Sequence, residues 1–364
     1  GIIVRDLDAG GKMPASFDGY QRLEPGNLLM CLFDIDVTPR CIGLIKQAGL
    51  SSPAYSQFVL SDGADAAYYC YYYTMLDNDK TLLHLAKNLR HSLTEDQLGA
   101  IPVIVPPTDE QRRIADFLDA KCAEIDALTA DIQTQIDTLE QYKRSVITET
   151  VTKGLNQNAE MKDSGIEWVE QMPMSWNTVP NKYLMYKIKS ICPIYNGENI
   201  LSLTTNGVII RDLNGGGKMP TSFDGYQKIV PGNLLMCLFD IDVTPRCIGL
   251  IKDFGLTSPA YSQFAMKDGA YAPYYYYYYL MVDYTKELLH MAKNLRHSLT
   301  EDQLGAIKAP RPPYDEQIQI AEYLNNKCSE INQVIADKNN QLSTLDKYKK
   351  SLIFEYVTGK KEVI

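Results

Sequence analysis

The sequence predicts an α+β protein in which two β-rich lobes are joined by two long antiparallel coiled-coil helices, related by a pseudo-twofold axis. The main observation is an internal repeat: residues 1–154 align with residues 207–360 without a gap, and residues 1–46 differ from residues 207–252 at eight positions. Each copy is domain-sized, far longer than the roughly 20–50 residues of solenoid repeats. Each copy also changes from short β-type segments to a long segment without glycine or proline, which indicates a lobe followed by a helix.

The opening part of each copy is typical of short strands separated by turn residues. The predicted strands include GVIIRDL (residues 207–213), GNLLMCLFDIDV and RCIGLIK. We interpret the tyrosine runs Ala67–Tyr73 and Tyr274–Tyr279 as an aromatic strand with one face in the core, rather than as a surface that stacks bases. Short helices from LLHLAKNLRHS and TEDQLGAI follow, and a strand over Ile101–Pro107 closes this part.

A long helix is predicted from Asp109 to Thr152, after two prolines and an N-terminal capping pattern. Its apolar residues alternate between spacings of four and three, which is typical of a helix that packs on another helix. The second copy repeats this pattern from Asp315, with Lys338 in place of Ile132. A helix of about 40 residues spans about 60 Å, so we expect the lobes to lie far apart. The predicted apolar stripe consists of Leu118, Ile125, Leu128, Ile132, Leu139, Tyr142 and Val146 in the first helix, and of Leu324, Ile331, Val334, Leu345, Tyr348 and Leu352 in the second.

A polar linker separates the copies, and residues 161–206 then open the second copy without a counterpart in the first. We therefore expect the first lobe to be incomplete at its N-terminus and to lack its opening strands. The predicted domains are a first lobe (1–108), a first long helix (109–152), a linker (153–162), a second lobe (163–313) and a second long helix (314–360).

Composition narrows the class of protein. The chain has 364 residues, enough for two cores, and its 45% hydrophobic and 22% charged residues are ordinary for a globular protein. No apolar run reaches the roughly 18 residues of a membrane helix, which predicts no membrane partner. The net charge of −9 argues against a nonspecific nucleic-acid binder but leaves room for a local basic face. The eight cysteines show no CxxC spacing, which favours buried free thiols in a reducing cytoplasm over a zinc site.

Several phrases resemble the specificity (S) subunits of type I restriction–modification systems. DSGIEWVEQMPMSW (Asp163–Trp176) is similar to the phrase that opens target-recognition domains in that family. PPTDEQRRIADFLDAKCAEID (Pro107–Asp126) and PPYDEQIQIAEYLNNKCSEIN (Pro312–Asn332) are similar to the phrase that opens its long helices. EPGNLLMCLFD and VPGNLLMCLFD resemble its Pro-Gly-Asp-Leu-Leu strand, with asparagine in place of aspartate. The resemblance covers essentially the whole chain.

The resemblance implies a protein without a catalytic centre. In that family two target-recognition domains each read half of a bipartite site in double-stranded DNA, and the helices set the spacing and dock methyltransferase (M) subunits. S-adenosylmethionine is then expected on the M subunits, and ATP with magnesium on restriction (R) subunits where these exist. Most family members carry two dissimilar domains. The near-identical copies here predict an interrupted palindrome, because related domains read the same half-site on opposite strands.

The candidate DNA contacts are cationic and amide side chains in three segments of each copy. Lysine and arginine suit phosphates, whereas arginine and asparagine suit the edges of guanine and adenine. The alternatives are a solvated helix face, a surface hairpin and, for Arg40, an ion pair with Asp34 or Asp36. The candidates are Arg5, Lys12, Arg40, Lys87, Asn88, Arg90 and His91, repeated as Arg211, Lys218, Arg246, Lys293, Asn294, Arg296 and His297.

Other functional sites are disfavoured by the sequence. Asp34 and Asp36 could begin a metal or nuclease site, but neither a third acidic ligand nor a catalytic lysine follows at a recognisable spacing. Arg311 precedes Pro312-Pro313-Tyr314 where an amino-methyltransferase motif needs asparagine or aspartate, and the glycine-rich run before Lys218 lacks P-loop spacing. We therefore predict neither a catalytic nor a metal site. The competing hypothesis is a coiled-coil scaffold that does not read DNA.

Overall fold

The computed structural model describes residues 2–6, 16–86, 91–215, 220–292 and 297–363. The chain divides into two compact units, each containing one lobe and parts of both long helices. Unit 1 comprises Gly1–Gln135 together with Asp337–Ile364, and unit 2 comprises Ile136–Ala336. The division of the chain into the five predicted domains stays a prediction.

In unit 1 short antiparallel strands precede the helices. The strands are β1 (Gln21–Leu23), β2 (Leu28–Met30), β3 (Ile42–Leu44), β4 (Gly49–Ser51) and β5 (Ser56–Phe58), and the helices are α1 (Ala66–Asn78), α2 (Thr81–Leu85), α3 (Glu95–Gly99) and the beginning of α4 (Thr108–Lys153). The main sheet has the order β3-β2-β5, and β1 pairs with β4 in a separate ribbon.

Unit 2 repeats this arrangement and adds the strands of residues 161–206. The strands are β6 (Met161–Ile166), β7 (Val169–Pro173), β8 (Asn177–Pro180), β9 (Met185–Ile188), β10 (Leu201–Thr204), β11 (Gly207–Ile210), β12 (Gln227–Ile229), β13 (Leu234–Met236), β14 (Ile248–Leu250), β15 (Gly255–Thr257), β16 (Ser262–Met266) and β17 (Lys308–Arg311). The helices are α5 (Ala272–Tyr284), α6 (Glu301–Ala306) and the beginning of α7 (Tyr314–Val357), with short 3₁₀ turns at Asn181–Tyr183 and Glu287–Met291. The main sheet is extended to four strands, in the order β14-β13-β16-β9.

The tyrosine-rich segments are helices, and the prediction of an aromatic strand is wrong. In unit 2, Tyr274, Tyr275 and Tyr278 of α5 are fully buried. Their hydroxyls find partners within the core: Tyr274 donates to the Val151 carbonyl at 2.9 Å, and Tyr278 accepts from the Trp168 indole at 3.0 Å. The strand preference of tyrosine depends on its surroundings, and here apolar contacts on most sides of the helix replace the one-sided burial of a strand.

The two long helices run antiparallel within each unit, as predicted. In unit 1 the Phe117 and Tyr356 rings lie 4.4 Å apart, and the Lys349 ammonium donates to Asp126 at 2.5 Å. Successive contacts therefore involve later residues of α4 and earlier residues of α7, as in an antiparallel pair. In unit 2 the equivalent of the second contact joins Lys143 to Asn332 at 3.0 Å. The α+β class with β-rich lobes and long antiparallel helices is thus confirmed.

The predicted apolar stripe is correct in part. Leu118, Ile125 and Ile132 are buried, but Leu128 and Tyr142 are exposed. Their repeats in α7, Val334 and Tyr348, are exposed as well. The difference has a physical cause, because each long helix is also covered by its own lobe near its start. The buried face therefore turns toward residues such as Ile114 and Cys122, which the heptad pattern did not include.

Two predicted strands form in the second copy but not in the first, and the reason is the same for both. Residues 308–311 form β17, which pairs with β8. The equivalent predicted strand over Ile101–Pro107 is not a strand in the structure. Similarly, β11 pairs with β10, whereas residues 2–6 form no strand. Both partners, β8 and β10, belong to residues 161–206, so the first copy repeats each strand sequence without the strand that would pair with it.

Candidate nucleic-acid interface

Each lobe has a tight loop between the central strand of its main sheet and the next strand. These are the Asp34–Arg40 loop of unit 1 and the Asp240–Arg246 loop of unit 2. Asp34 begins its loop in the left-handed region, with φ of 48°, which aspartate tolerates better than most residues. The N–H groups of Val37 and Thr38 both donate to the Asp34 carbonyl, at 3.2 and 2.9 Å. The strand predicted through DIDV is therefore wrong, since β2 ends earlier and a turn follows.

A buried carboxylate holds the end of each loop by accepting a backbone hydrogen bond. In unit 1 Asp77 accepts the Cys41 N–H at 2.8 Å and the Lys80 ammonium at 3.1 Å. The same ammonium also lies 3.3 Å from the Thr38 carbonyl. The carboxylate thus holds the end of the loop, and the lysine neutralises it while binding the middle of the loop.

The anchor recurs in unit 2. Asp283 accepts the Cys247 N–H at 2.9 Å, and Lys286 donates to Asp283 at 2.7 Å and to the Thr244 carbonyl at 2.7 Å. Lys80 and Lys286 both have left-handed backbones, with φ of 52° and 55°. Two copies of one anchor therefore give both loops the same local conformation.

A contact between a histidine and an aspartate joins each loop to a second candidate segment. His91 lies with Nδ1 3.0 Å from Asp36, and His297 lies 3.0 Å from Asp242. The hydrogen bond from His91 holds the pKa of the Asp36 carboxyl below its usual value. The Ile35 N–H also donates to the His91 carbonyl, at 3.2 Å. The predicted donor clusters thus end at a residue that is fixed to the loop.

Arg40 and Arg246 close the two loops. Arg40 is exposed and Arg246 is half-buried. Burial raises the pKa of Tyr276 on α5, and the nearby Arg246 guanidinium opposes that shift. The alternative was an ion pair of Arg40 with Asp34 or Asp36. Within the described ranges Arg40 forms no salt bridge with either carboxylate, and Asp36 pairs with His91.

Arg5 is exposed, and its repeat Arg211 is half-buried directly after β11. Burial raises the pKa of Tyr261, and the positive charge of Arg211 opposes that shift. The Tyr261 ring lies 6.3 Å from Phe239, the residue that precedes the Asp240–Arg246 loop. In unit 2 the structure therefore brings Arg246 and His297 together at a single loop.

The remaining candidates, Lys12, Lys87, Asn88, Arg90, Lys218, Lys293, Asn294 and Arg296, lie outside the described residues. The described residues contain no group of three or more histidine, cysteine or acidic side chains that could hold a metal ion. Searched over the same part of the chain, no helix is long and apolar enough to cross a membrane.

Sequence reasoning missed the anchoring aspartate and lysine. A signal for them exists in the repeat itself. MLDNDK (residues 75–80) became MVDYTK (residues 281–286), so Asp77 and Lys80 are retained while three of their four neighbours in this stretch differ. Comparing the two copies position by position could have found the pair, although not the left-handed backbone of the lysine.

The chain is similar in sequence to DNA specificity domains and subunits of type I restriction systems. Residues 53–138 match the family model described as type I restriction modification DNA specificity domain. The type I restriction enzyme MjaVIII specificity subunit of Methanocaldococcus jannaschii is 25% identical over 281 residues, which cover 71% of this chain and 62% of that protein. The putative type I restriction enzyme MjaX specificity subunit of the same organism is 25% identical over 290 residues, covering 74% and 61%. The chain therefore spans about three fifths of the length of these relatives.

A solved structure shares the fold. It comes from work on complex assembly and conformational transition of the type I R-M system. The alignment covers 93% of this chain and 83% of that chain, with a TM-score of 0.70 and 13% sequence identity. At this identity the likeness concerns the fold alone.

Proposed function

We propose that this chain is a specificity subunit of a type I restriction–modification system and that it reads both halves of an interrupted palindromic DNA site. One observation carries the proposal. The Asp34–Arg40 loop recurs without a change as the Asp240–Arg246 loop, on the same aspartate and lysine anchor. Two identical reading loops recognise identical half-sites, and a bipartite site built from them on opposite strands is palindromic. The described cations at this surface are suited to phosphates and to guanine edges.

Docking of methyltransferase subunits is a second part of the proposal. It is supported by exposed apolar side chains that the repeat places twice. In unit 1 Leu128 and Tyr348 are exposed at similar levels of the helix pair, given the contact between Asp126 and Lys349. In unit 2 the equivalent residues are Val334 and Tyr142. Large exposed apolar side chains on a charged helix are typical of protein interfaces.

We further propose that the chain is not catalytic. S-adenosylmethionine would then bind the M subunits, and ATP with magnesium would bind R subunits where these are present. The eight free cysteines, seven of them buried, suit a reducing cytoplasm.

The proposal is tested by mapping methylated bases. The chain is expressed with its M subunit in a host without DNA methylation, and modified adenines are located across the genome. We expect one interrupted motif whose two halves are reverse complements. Two unrelated half-sites would contradict the palindrome.

Arginine variants test the reading loops directly. Arg40→Ala and Arg246→Ala should each weaken DNA binding by the M-containing complex, and each should reduce the slope of log affinity against log salt concentration by about one if the side chain contacts a phosphate. Lys46→Ala, outside the loop, is the matched control. A complex that assembles but binds all DNA sequences equally would instead favour a scaffold.

A further inference from the structure

The tip of each reading loop is apolar and exposed. Val37 is 73% exposed in unit 1, and its repeat Val243 is 73% exposed in unit 2. Pro39 and its repeat Pro245, two residues further along, are exposed as well. Both lobes therefore present the same small apolar surface at the same place.

The rest of the loop holds this tip in one position. Ile35, two residues before Val37, is fully buried, so it fixes the loop to the core while Val37 stays outside. The Val37 N–H donates to the Asp34 carbonyl at 3.2 Å, and the Lys80 ammonium lies 3.3 Å from the Thr38 carbonyl. A valine side chain also has few rotamers. Little conformational entropy is therefore lost when a ligand covers the tip.

An apolar tip has few partners on duplex DNA. The valine side chain neither donates nor accepts a hydrogen bond, so it pairs neither with a phosphate nor with the polar atoms of a base edge. The C5 methyl group of thymine is an apolar group on a base edge, and it lies in the major groove. In the minor groove, A·T and T·A pairs offer only acceptors. A rigid valine on a base-reading loop thus matches a thymine methyl group in the major groove.

The charged groups near the tip also fit a base edge better than the phosphate backbone. Asp34 and Asp36 are exposed, and Asp36 pairs with His91. Carboxylates repel phosphates but can accept a hydrogen bond from the amino group of cytosine. A protein partner is a poorer match for the tip, because the cores of protein interfaces are enriched in aromatic residues, methionine and arginine and depleted in aspartate.

We propose that Val37 and Val243 each contact the C5 methyl group of a thymine in the major groove, at the same position of the two half-sites. The inference rests on the proposed function, because the contact exists only if the two loops read bases. It adds a base and a groove to that function. The two thymines lie on opposite strands, since identical loops read half-sites that are reverse complements.

Deoxyuridine, which lacks only the C5 methyl group of thymidine, tests the contact. The complex of the chain with its M subunit is bound to duplexes that carry the mapped methylation motif, with each thymine replaced in turn. We expect one thymine in each half-site at which the replacement weakens binding about fourfold, as for the loss of one buried methyl-sized group. Replacing both should weaken binding roughly 16-fold, because well-separated positions contribute additively.

Serine variants assign each thymine to one lobe. Val37→Ser should abolish the effect of deoxyuridine in one half-site and leave it in the other, and Val243→Ser should do the reverse. Val230→Ser is the matched control and should retain both effects. Val230 is also an exposed valine, but it lies outside the loop at a position where the first copy has Glu24. Because all three positions are exposed, thermal unfolding should be the same for each variant as for the parent.

The inference is overturned if no deoxyuridine weakens binding, or if deoxyuridine has the same effects on the parent and on Val37→Ser. A Val37→Ser complex that binds every duplex more weakly, with both deoxyuridine effects intact, would instead indicate a minor-groove wedge or a contact with the M subunit. All of these outcomes leave the palindromic site in place. A complex without any sequence preference would contradict the proposed function, and the thymine contact with it.

Discussion

At the scale of single residues, the most consequential side chains are the buried aspartates beneath the two loops. Asp77 accepts a backbone N–H and a lysine ammonium, so its burial is compensated by two charge-assisted hydrogen bonds. Asp77 therefore fixes the end of the loop from a buried position and differs in this respect from a surface ion pair. A surface pair contributes little, whereas a buried acceptor that is removed leaves its donors unsatisfied.

Replacing Asp77 should therefore destabilise unit 1 and loosen its loop. We expect Asp77→Ala to lower the free energy of unfolding by about 1–3 kcal/mol, because the Cys41 N–H loses its buried acceptor. Urea denaturation measures the change. Asp79→Ala, at an exposed neighbour, is the matched control. An equal effect of both variants would contradict the structural role of the buried Asp77.

The pairing of Asp36 with His91 predicts a pH dependence at the acidic end. The pKa of Asp36 is lowered in the folded state from its ordinary value of 3.8. A carboxyl with a lowered pKa stabilises the fold above its unfolded pKa, and this contribution is lost as the pH falls through the folded pKa. We expect the parent chain to be more stable than Asp36→Asn at pH 5, and the difference to shrink at pH values below 3.8. A difference that grows on acidification would contradict the assignment.

At the scale of elements, the start of each long helix is tied to the aromatic helix of its lobe by one glutamine. Gln317 is fully buried; its side-chain oxygen accepts the Tyr271 N–H at 2.8 Å, and its amide donates to the Pro312 and Gly269 carbonyls at 2.9 and 3.0 Å. Gln111 bridges the same places in unit 1. The DEQ phrase of the sequence therefore has a structural role at the junction of three segments.

Gln317→Ala should destabilise unit 2 by about 2 kcal/mol or somewhat more, since three backbone groups lose their partner. Gln319→Ala, two residues later on the exposed face of the same helix, should change the free energy of unfolding by less than about 0.5 kcal/mol. Thermal unfolding of both variants measures the change in stability. Similar losses of stability in the two variants would show that the hydrogen bonds of the buried amide do not stabilise unit 2.

Elements differed in how well the sequence predicted them. The long helices have a strong period, and their antiparallel pairing could be predicted from it. The capping box predicted at Thr108–Gln111 does not form, because the Thr108 hydroxyl donates to the Gly63 carbonyl and the Gln111 backbone N–H donates to the Pro107 carbonyl. The tyrosine runs have no such period, so only burial was predicted correctly and the element type was wrong. Strand Ile101–Pro107 failed for a different reason, since pairing depends on a partner strand that lies outside the segment itself. The conformation of the loop from Asp34 depends on anchors 36 or more residues away, at Asp77 and His91.

At the scale of the whole molecule, each core is completed by the end of the other copy's helix. In unit 1 Leu352, Ile353 and Val357 of α7 pack among residues of the first lobe and of α4. In unit 2 Ile147 and Val151 of α4 take the equivalent places. The repeat is thus interleaved, and neither lobe is covered by its own copy alone.

A substitution near the end of the chain should therefore disturb its first lobe. We expect Ile353→Ala to lower the stability of unit 1 by about 2–5 kcal/mol, as for other large-to-small changes in a core, and to speed amide exchange in α1. Ser351→Ala, at an exposed position of the same helix turn, should leave exchange unchanged. Faster exchange confined to α5 of unit 2 would contradict the interleaved arrangement.

The hydrogen bond from the Tyr68 hydroxyl to the Val357 carbonyl spans 289 positions of the chain, and it has a consequence for biosynthesis. At a translation rate of about 5–20 residues per second, roughly 15–60 s pass between the synthesis of Tyr68 and the synthesis of Val357, at the helix end that covers the first lobe. Unit 2 is one continuous stretch, residues 136–336, and can close as soon as it leaves the ribosome. The half of the protein that is made first is therefore the half that finishes folding last, and during that interval it is the natural substrate for chaperones and proteases.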